Sequence, residues 1–212
     1  VNPQTDLQAL AATITGPGVR IANPVIDCHN EGYGEFSYSG SELGIAEGVL
    51  LTSGRITETI GPNNVENKTF QQGTSGNALL NEVTGRSTRD ACLFEFDIIP
   101  SGDSLRFNFV LGSEEYNEWV GSQYNDVFGF FLSGPNISGP YSNNSINIAL
   151  VPGSLVPVTI NNVNDVSNPQ FYVNNGDGFT SPFNTDPTYV QYDGLTVRLT
   201  ARGDGGHASA PP

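Results

Sequence analysis

Lysine is nearly missing from this chain: Lys68 stands alone beside seven arginines, against 22 Asp and Glu. The net charge of −14 excludes the basic face with which proteins neutralise nucleic-acid phosphates, and it sets the chain against anionic lipid surfaces. Methionine is absent and histidine occurs twice, at His29 and His207. A transition-metal centre therefore has almost no imidazole or thiol to draw on. A Ser-His-Asp triad would have to use His29, which sits by a turn beside Asp27 and Cys28. The two cysteines, Cys28 and Cys92, are too far apart for a CxxC redox or zinc motif. They read either as two separate buried thiols or as a disulfide closing a long loop in an oxidising compartment, and the disulfide is the expectation adopted. No apolar run approaches the roughly 18 residues of a membrane helix. No charged-then-apolar leader opens the sequence, so a mature or excised soluble piece is expected.

What the chain does have is turn chemistry. Asn occurs 22 times and Gly 25 times, the look of a secreted β protein. Thr5 is expected to cap an opening helix with Leu7, Leu10, Ala11 and Ile14 at helical spacing, ended by Gly16-Pro17-Gly18. Strands are expected at 19–26, 33–38 and 44–51, and a short helix at 77–83. The strongest strands are 91–99 and 104–111. In the first, Cys92, Phe94, Phe96 and Ile98 share one face; in the second, Leu105, Phe107, Phe109 and Leu111 do. Pro100-Ser101-Gly102-Asp103 reads as a turn making these two a hairpin. Residues 127–132 read as a central strand, and later strands are expected at 146–151, 158–163, 171–173 and 195–201.

Between the strong strands and residue 127 lies the feature that bears on function. Glu114, Glu115, Glu118 and Asp126, with the amides Asn117 and Asn125, crowd into thirteen residues. Like charges held that close repel unless something offsets them. A hard cation does so most simply, since Ca²⁺ takes roughly six to eight oxygens from carboxylates, amides and carbonyls. Glu114, Glu115 and Asp126 are the first candidate ligands, then Asn125 and Asn117. Tyr116, Trp119 and Tyr124 interleave with them and are expected to supply a stacking surface, with Asn174 and Asp177 from a second oxygen-rich stretch adding to the ligand face. A paired-carboxylate hydrolase fits less well, because adjacent residues on a strand point to opposite faces. Arg202-Gly203-Asp204 spells a receptor-read tripeptide, but three residues match by coincidence easily.

Seven motifs in order carry a resemblance: Leu50-Leu51-Thr52-Ser53-Gly54, Ile60-Gly61-Pro62-Asn63, Asp90-Ala91-Cys92-Leu93-Phe94-Glu95-Phe96-Asp97, Gly112-Ser113-Glu114-Glu115-Tyr116, Asn125-Asp126-Val127-Phe128-Gly129-Phe130-Phe131, Asn147-Ile148-Ala149-Leu150-Val151-Pro152-Gly153 and Tyr192-Asp193-Gly194. From about residue 5 to 201 the chain resembles the choice-of-anchor L domain of bacterial surface proteins. The resemblance implies an extracellular β-rich domain of large adhesin-like proteins, with no firmly shared enzymatic activity. Related adhesin modules bind peptides or glycans with the help of Ca²⁺. Family members usually continue past the Tyr-Asp-Gly strand with a further pair of strands. Here the chain turns into Arg202-Gly203-Asp204-Gly205-Gly206, and an open sheet edge is expected to follow.

The resulting expectation is all-β, a two-sheet jelly-roll-like β-sandwich with an N-terminal helix and one short inserted helix. One domain spans 1–201 and a flexible tail 202–212. The function expected is a secreted bacterial surface module that is calcium-stabilised and binds a peptide or glycan without catalysis. The alternative is a structural subunit that self-assembles through its open edge or a donated strand.

Overall fold

The computed structural model describes residues 1–180 and 190–204. Its described residues form an all-β sandwich with two α-helices, and every strand pairing is antiparallel. Helix α1 (Leu7–Ile14) is capped by Asp6 and not by Thr5, because the Asp6 carboxylate reaches the backbone N–H groups of Gln8 and Ala9. Leu10 and Ala11 bury its inner face against β2 (Val19–Asp27), β3 (Tyr33–Ser37) and β4 (Glu47–Leu51). Strand β1 (Asn2–Pro3) extends the β3–β4 pair. Helix α2 (Ala78–Thr84) starts at its Asn77 cap and stops at Gly85, whose left-handed backbone (φ 68°) suits glycine.

The two strongest strands form where periodicity places them, β5 (Leu93–Pro100) and β6 (Ser104–Phe109), yet they are not a hairpin. β5 pairs with β2, and β6 pairs with β12 (Leu199–Asp204). The turn between them is held to the first partner: the Ser101 N–H donates to the Gly18 carbonyl at 2.8 Å, so the chain leaves one ladder before it joins the next. In β6, Leu105 and Phe109 are buried and Phe107 half-buried, while Arg106 and Asn108 face out, as the alternation requires. The inward face of β6 meets the main core, built from Phe109, Ile148, Ala149, Val151, Val158, Val163, Leu199 and Ala201, with Phe128 stacked on Phe109 at 4.5 Å.

Residues 127–132 are less regular than expected: only β8 (Phe131–Leu132) is a strand, paired with β9 (Ile146–Asn147). Val127 joins Thr159 through an isolated bridge, and 158–163 is likewise no continuous strand. At the end of the chain, β12 runs through Arg202 and Gly203 to Asp204, along the length of β6. Residues 202–204 of the expected tail are therefore strand, and β12 with β6 makes a two-stranded ladder. Residues 205–212 of the expected tail lie outside the described residues.

The β2–β5 register explains the disulfide. Asp27 lies opposite Leu93, so the next pair outward is Cys28 and Cys92, whose Cα atoms are 4.3 Å apart and whose sulfurs are bonded. Cross-strand neighbours at that spacing meet the geometric requirement of a disulfide.

Candidate functional site

A three-stranded ladder carries the site. Strand β11 (Gly194–Thr196) lies between β10 (Tyr172–Asn174) and β7 (Gly112–Ser113), with Gly194 opposite Ser113 and Leu195 opposite Gly112. One step past the end of this ladder, Glu114 and Asp193 are the residues that follow Ser113 and precede Gly194. They therefore leave the two strands at the same end and close to each other. A side chain at 194 would collide with the Tyr116 ring, 2.5 Å from where a Cβ would sit; glycine there lets that ring lie over the strand.

Asp193 is 1% exposed. Its Oδ1 accepts from the Asn63 side-chain amide at 2.9 Å, and Asn63 Oδ1 in turn accepts from Gln191 Nε2 at 3.1 Å. Asn63 and Gln191 are buried as well. The neighbouring Asn175 N–H donates to the Asp193 carbonyl at 2.8 Å. Four segments distant in sequence, around 63, 114, 175 and 193, thus converge on one buried polar knot. Within it, Asp193 Oδ2 and both carboxyl oxygens of Glu114 are buried and find no hydrogen-bond partner among the described residues. A buried carboxylate without donors is costly.

Electrostatics record that cost. Burial, then the nearby Asp193, raise the Glu114 pKa to about 9, with Lys68 pulling the other way. Lys68 itself is engaged, its Nζ 3.0 Å from Glu58 Oε2. Asp193 is raised to about 7 by burial, against the hydrogen bond from Asn63. Glu115 is raised by burial and by Asp126 and Glu118. Asp126 keeps solvent contact as a residue, yet the protein around its carboxyl raises its pKa, offset in part by the Ser113 hydroxyl. Tyr192, whose hydroxyl is 3.2 Å from that of Thr52, is pushed up to about 12 by burial.

The expected site residues divide. Glu114 and Glu115 differ in their main charged neighbour: Asp193 acts more strongly than Glu115 on Glu114, and Asp126 is the first carboxylate acting on Glu115. Asp126 accepts from Ser113 Oγ at 2.6 Å, Asn125 accepts from the Asn161 N–H, and Asn117 accepts from the Tyr172 hydroxyl. Among the described residues, no group of three or more His, Cys, Asp or Glu side chains is placed to hold a metal ion. Tyr116 is not a stacking surface: it is fully buried, packs 4.9 Å from Tyr172, and donates its hydroxyl to the Val163 carbonyl. Trp119 and Tyr124 do face solvent, each 47% exposed, in an edge-to-face pair 5.0 Å apart. Asn174 is exposed and accepts from the Gly176 N–H, while Asp177 is tied into its own turn by the N–H groups of Phe179 and Thr180 and the Thr180 hydroxyl. Asp193 and Gln191 were not expected as site residues, and Asn63 stood only in a weaker oxygen-rich stretch with Thr52, Ser53, Asn64 and Glu66. The signal was present in Gln191-Tyr192-Asp193, polar groups interrupting an otherwise apolar strand pattern.

The model of the choice-of-anchor L domain family matches residues 1–204, nearly the whole chain. The chain belongs to the choice-of-anchor L domain family. Neither the curated proteins nor the solved structures provide a match. The membership marks a bacterial surface-associated module, from a family not known to be enzymatic. It implies a cell-surface or extracellular protein, and the disulfide agrees with an oxidising compartment. Among its described residues, this choice-of-anchor L domain has no helix long and apolar enough to cross a membrane.

Proposed function

We propose that this choice-of-anchor L domain is a non-catalytic adhesion module, stabilised by Ca²⁺, that binds a peptide or glycan of another cell or matrix. The observation that carries the binding role is the Trp119–Tyr124 pair. Two large aromatics half-open to solvent, on the loop that leaves the buried carboxyls, offer the rigid amphipathic surface on which sugar rings or peptide side chains stack. Asn117 lies two residues before Trp119 and accepts from the Tyr172 hydroxyl, on the strand that ends at Asn174; these amides, with Asp177 just beyond, supply polar atoms. Support for Ca²⁺ comes from Glu114, Glu115 and Asp126, each raised chiefly by burial, and from the two Glu114 carboxyl oxygens, which have no donor among the described residues.

Trp119 is the single tryptophan, so its fluorescence reports this surface alone. Titration with a panel of neutral oligosaccharides and peptides is expected to shift or quench that emission. Trp119→Ala is expected to weaken binding about tenfold, roughly 1.4 kcal/mol. Equal binding by wild type and Trp119→Ala would sink the assignment of this surface.

A further inference from the structure

The geometry points to a specific cation seat at the end of the β7–β11 ladder, formed by Glu114 and Asp193, with Asp193 fixed by Asn63. This rests on the proposal that the domain is calcium-stabilised and moves the ion away from the Glu115–Asp126 side of the loop.

Two features set this place apart from the rest of the acidic surface. The strand register brings the two carboxyls out at one ladder end. Three of their four oxygens are buried and have no partner among the described residues, while the fourth, Asp193 Oδ1, is spoken for by Asn63. The one lysine that influences Glu114 has its ammonium on Glu58. On the other side of the loop, Asp126 is exposed and its Oδ2 accepts from the Ser113 hydroxyl. Oxygen-only donors select a hard cation. The carboxyl oxygens are shut off from solvent, so the ion has to shed most of its water. Ca²⁺ does this readily and accepts irregular geometry, whereas Mg²⁺ dehydrates reluctantly. Two protein carboxylates supply the charge, and carbonyl or water oxygens complete the shell. Such an ion would pin together the Asn63 loop, the acidic loop and strand β11, which is how it would set the position of the Trp119–Tyr124 surface.

The test is calorimetric titration of CaCl₂ into the EDTA-stripped and dialysed full chain, with thermal melts, for wild type and four near-isosteric variants. Glu114→Gln and Asp193→Asn are expected to lose the binding heat and the calcium-dependent rise in Tm. Asp193→Asn keeps an acceptor for Asn63, and Glu114→Gln keeps the size of a side chain that no donor engages among the described residues, so both should fold. Glu115→Gln and Asp126→Asn are expected to keep both responses within about twofold in affinity. Calcium binding by wild type that survives Glu114→Gln and Asp193→Asn overturns the seat while leaving a calcium-stabilised domain. Absence of binding heat and Tm shift in wild type overturns both.

Discussion

Replacing Cys28 and Cys92 together by serine is expected to lower the unfolding free energy by about 4 kcal/mol and Tm by roughly 8–16 °C. The bridge joins residues 64 apart in sequence, so it closes a long loop in the unfolded chain, and the entropy it removes there grows with loop length. The same loop contains β3, β4, α2 and the Asn63 and Lys68 segment. Cutting the bridge therefore frees the part of the chain that braces Asp193. Urea unfolding of the double variant, and of wild type under reducing conditions, measures the effect. A loss below about 1 kcal/mol in both would show that the bridge contributes little beyond the β2–β5 pairing.

The second large effect is on pH dependence. In the absence of divalent ions, stability is expected to fall as pH rises from about 5 to 9. Glu114 titrates near 9 and Asp193 near 7 in the folded chain, well above the roughly 4 of unfolded carboxyls. Between those values the folded state holds more protons than the unfolded state, so the linkage slope is negative. The protonated forms contribute fully below about pH 4, and their contribution is lost as pH passes the folded values. Glu115 and Asp126, also raised, act in the same direction. Asp177 behaves oppositely: its turn hydrogen bonds hold it near 2, so its contribution is present above about 4 and lost only in strong acid. A drop in Tm of roughly 5–10 °C between pH 5 and pH 9 in EDTA is expected. Saturating CaCl₂ should flatten the curve, since an ion takes over the role of the protons. A Tm that is level or rising across this range in EDTA contradicts the burial of these carboxyls.

Much of the fold was legible because strand alternation is a local signal. β2, β3, β5 and β6 could be placed from which residues repeat every second position, and the disulfide from two cysteines each beside such a run. Pairing partners were not legible in the same way. The turn after β5 has hairpin chemistry, but the β2–β5 ladder and the arrival of β12 beside β6 decide otherwise, and both depend on residues far away in the chain. The site shows the same division. Crowded carboxylates around Glu114 mark the loop, yet the partner of Glu114 is Asp193, brought near by the β7–β11 register. Tyr116 looked like its neighbours Trp119 and Tyr124. The Val163 carbonyl, the Tyr172 ring and the space left by Gly194 turn it inward while they stay out.

Joint capture of a hard cation by Glu114 and Asp193 is open to direct observation. Crystals grown in CaCl₂ and then exchanged into TbCl₃, whose ion replaces Ca²⁺ and scatters anomalously, locate it directly. The account predicts an anomalous peak within coordination distance, about 2.3–2.6 Å, of a carboxyl oxygen of each residue. Peaks confined to the Glu115 and Asp126 side or to surface carboxylates, with none between Glu114 and Asp193, would contradict it.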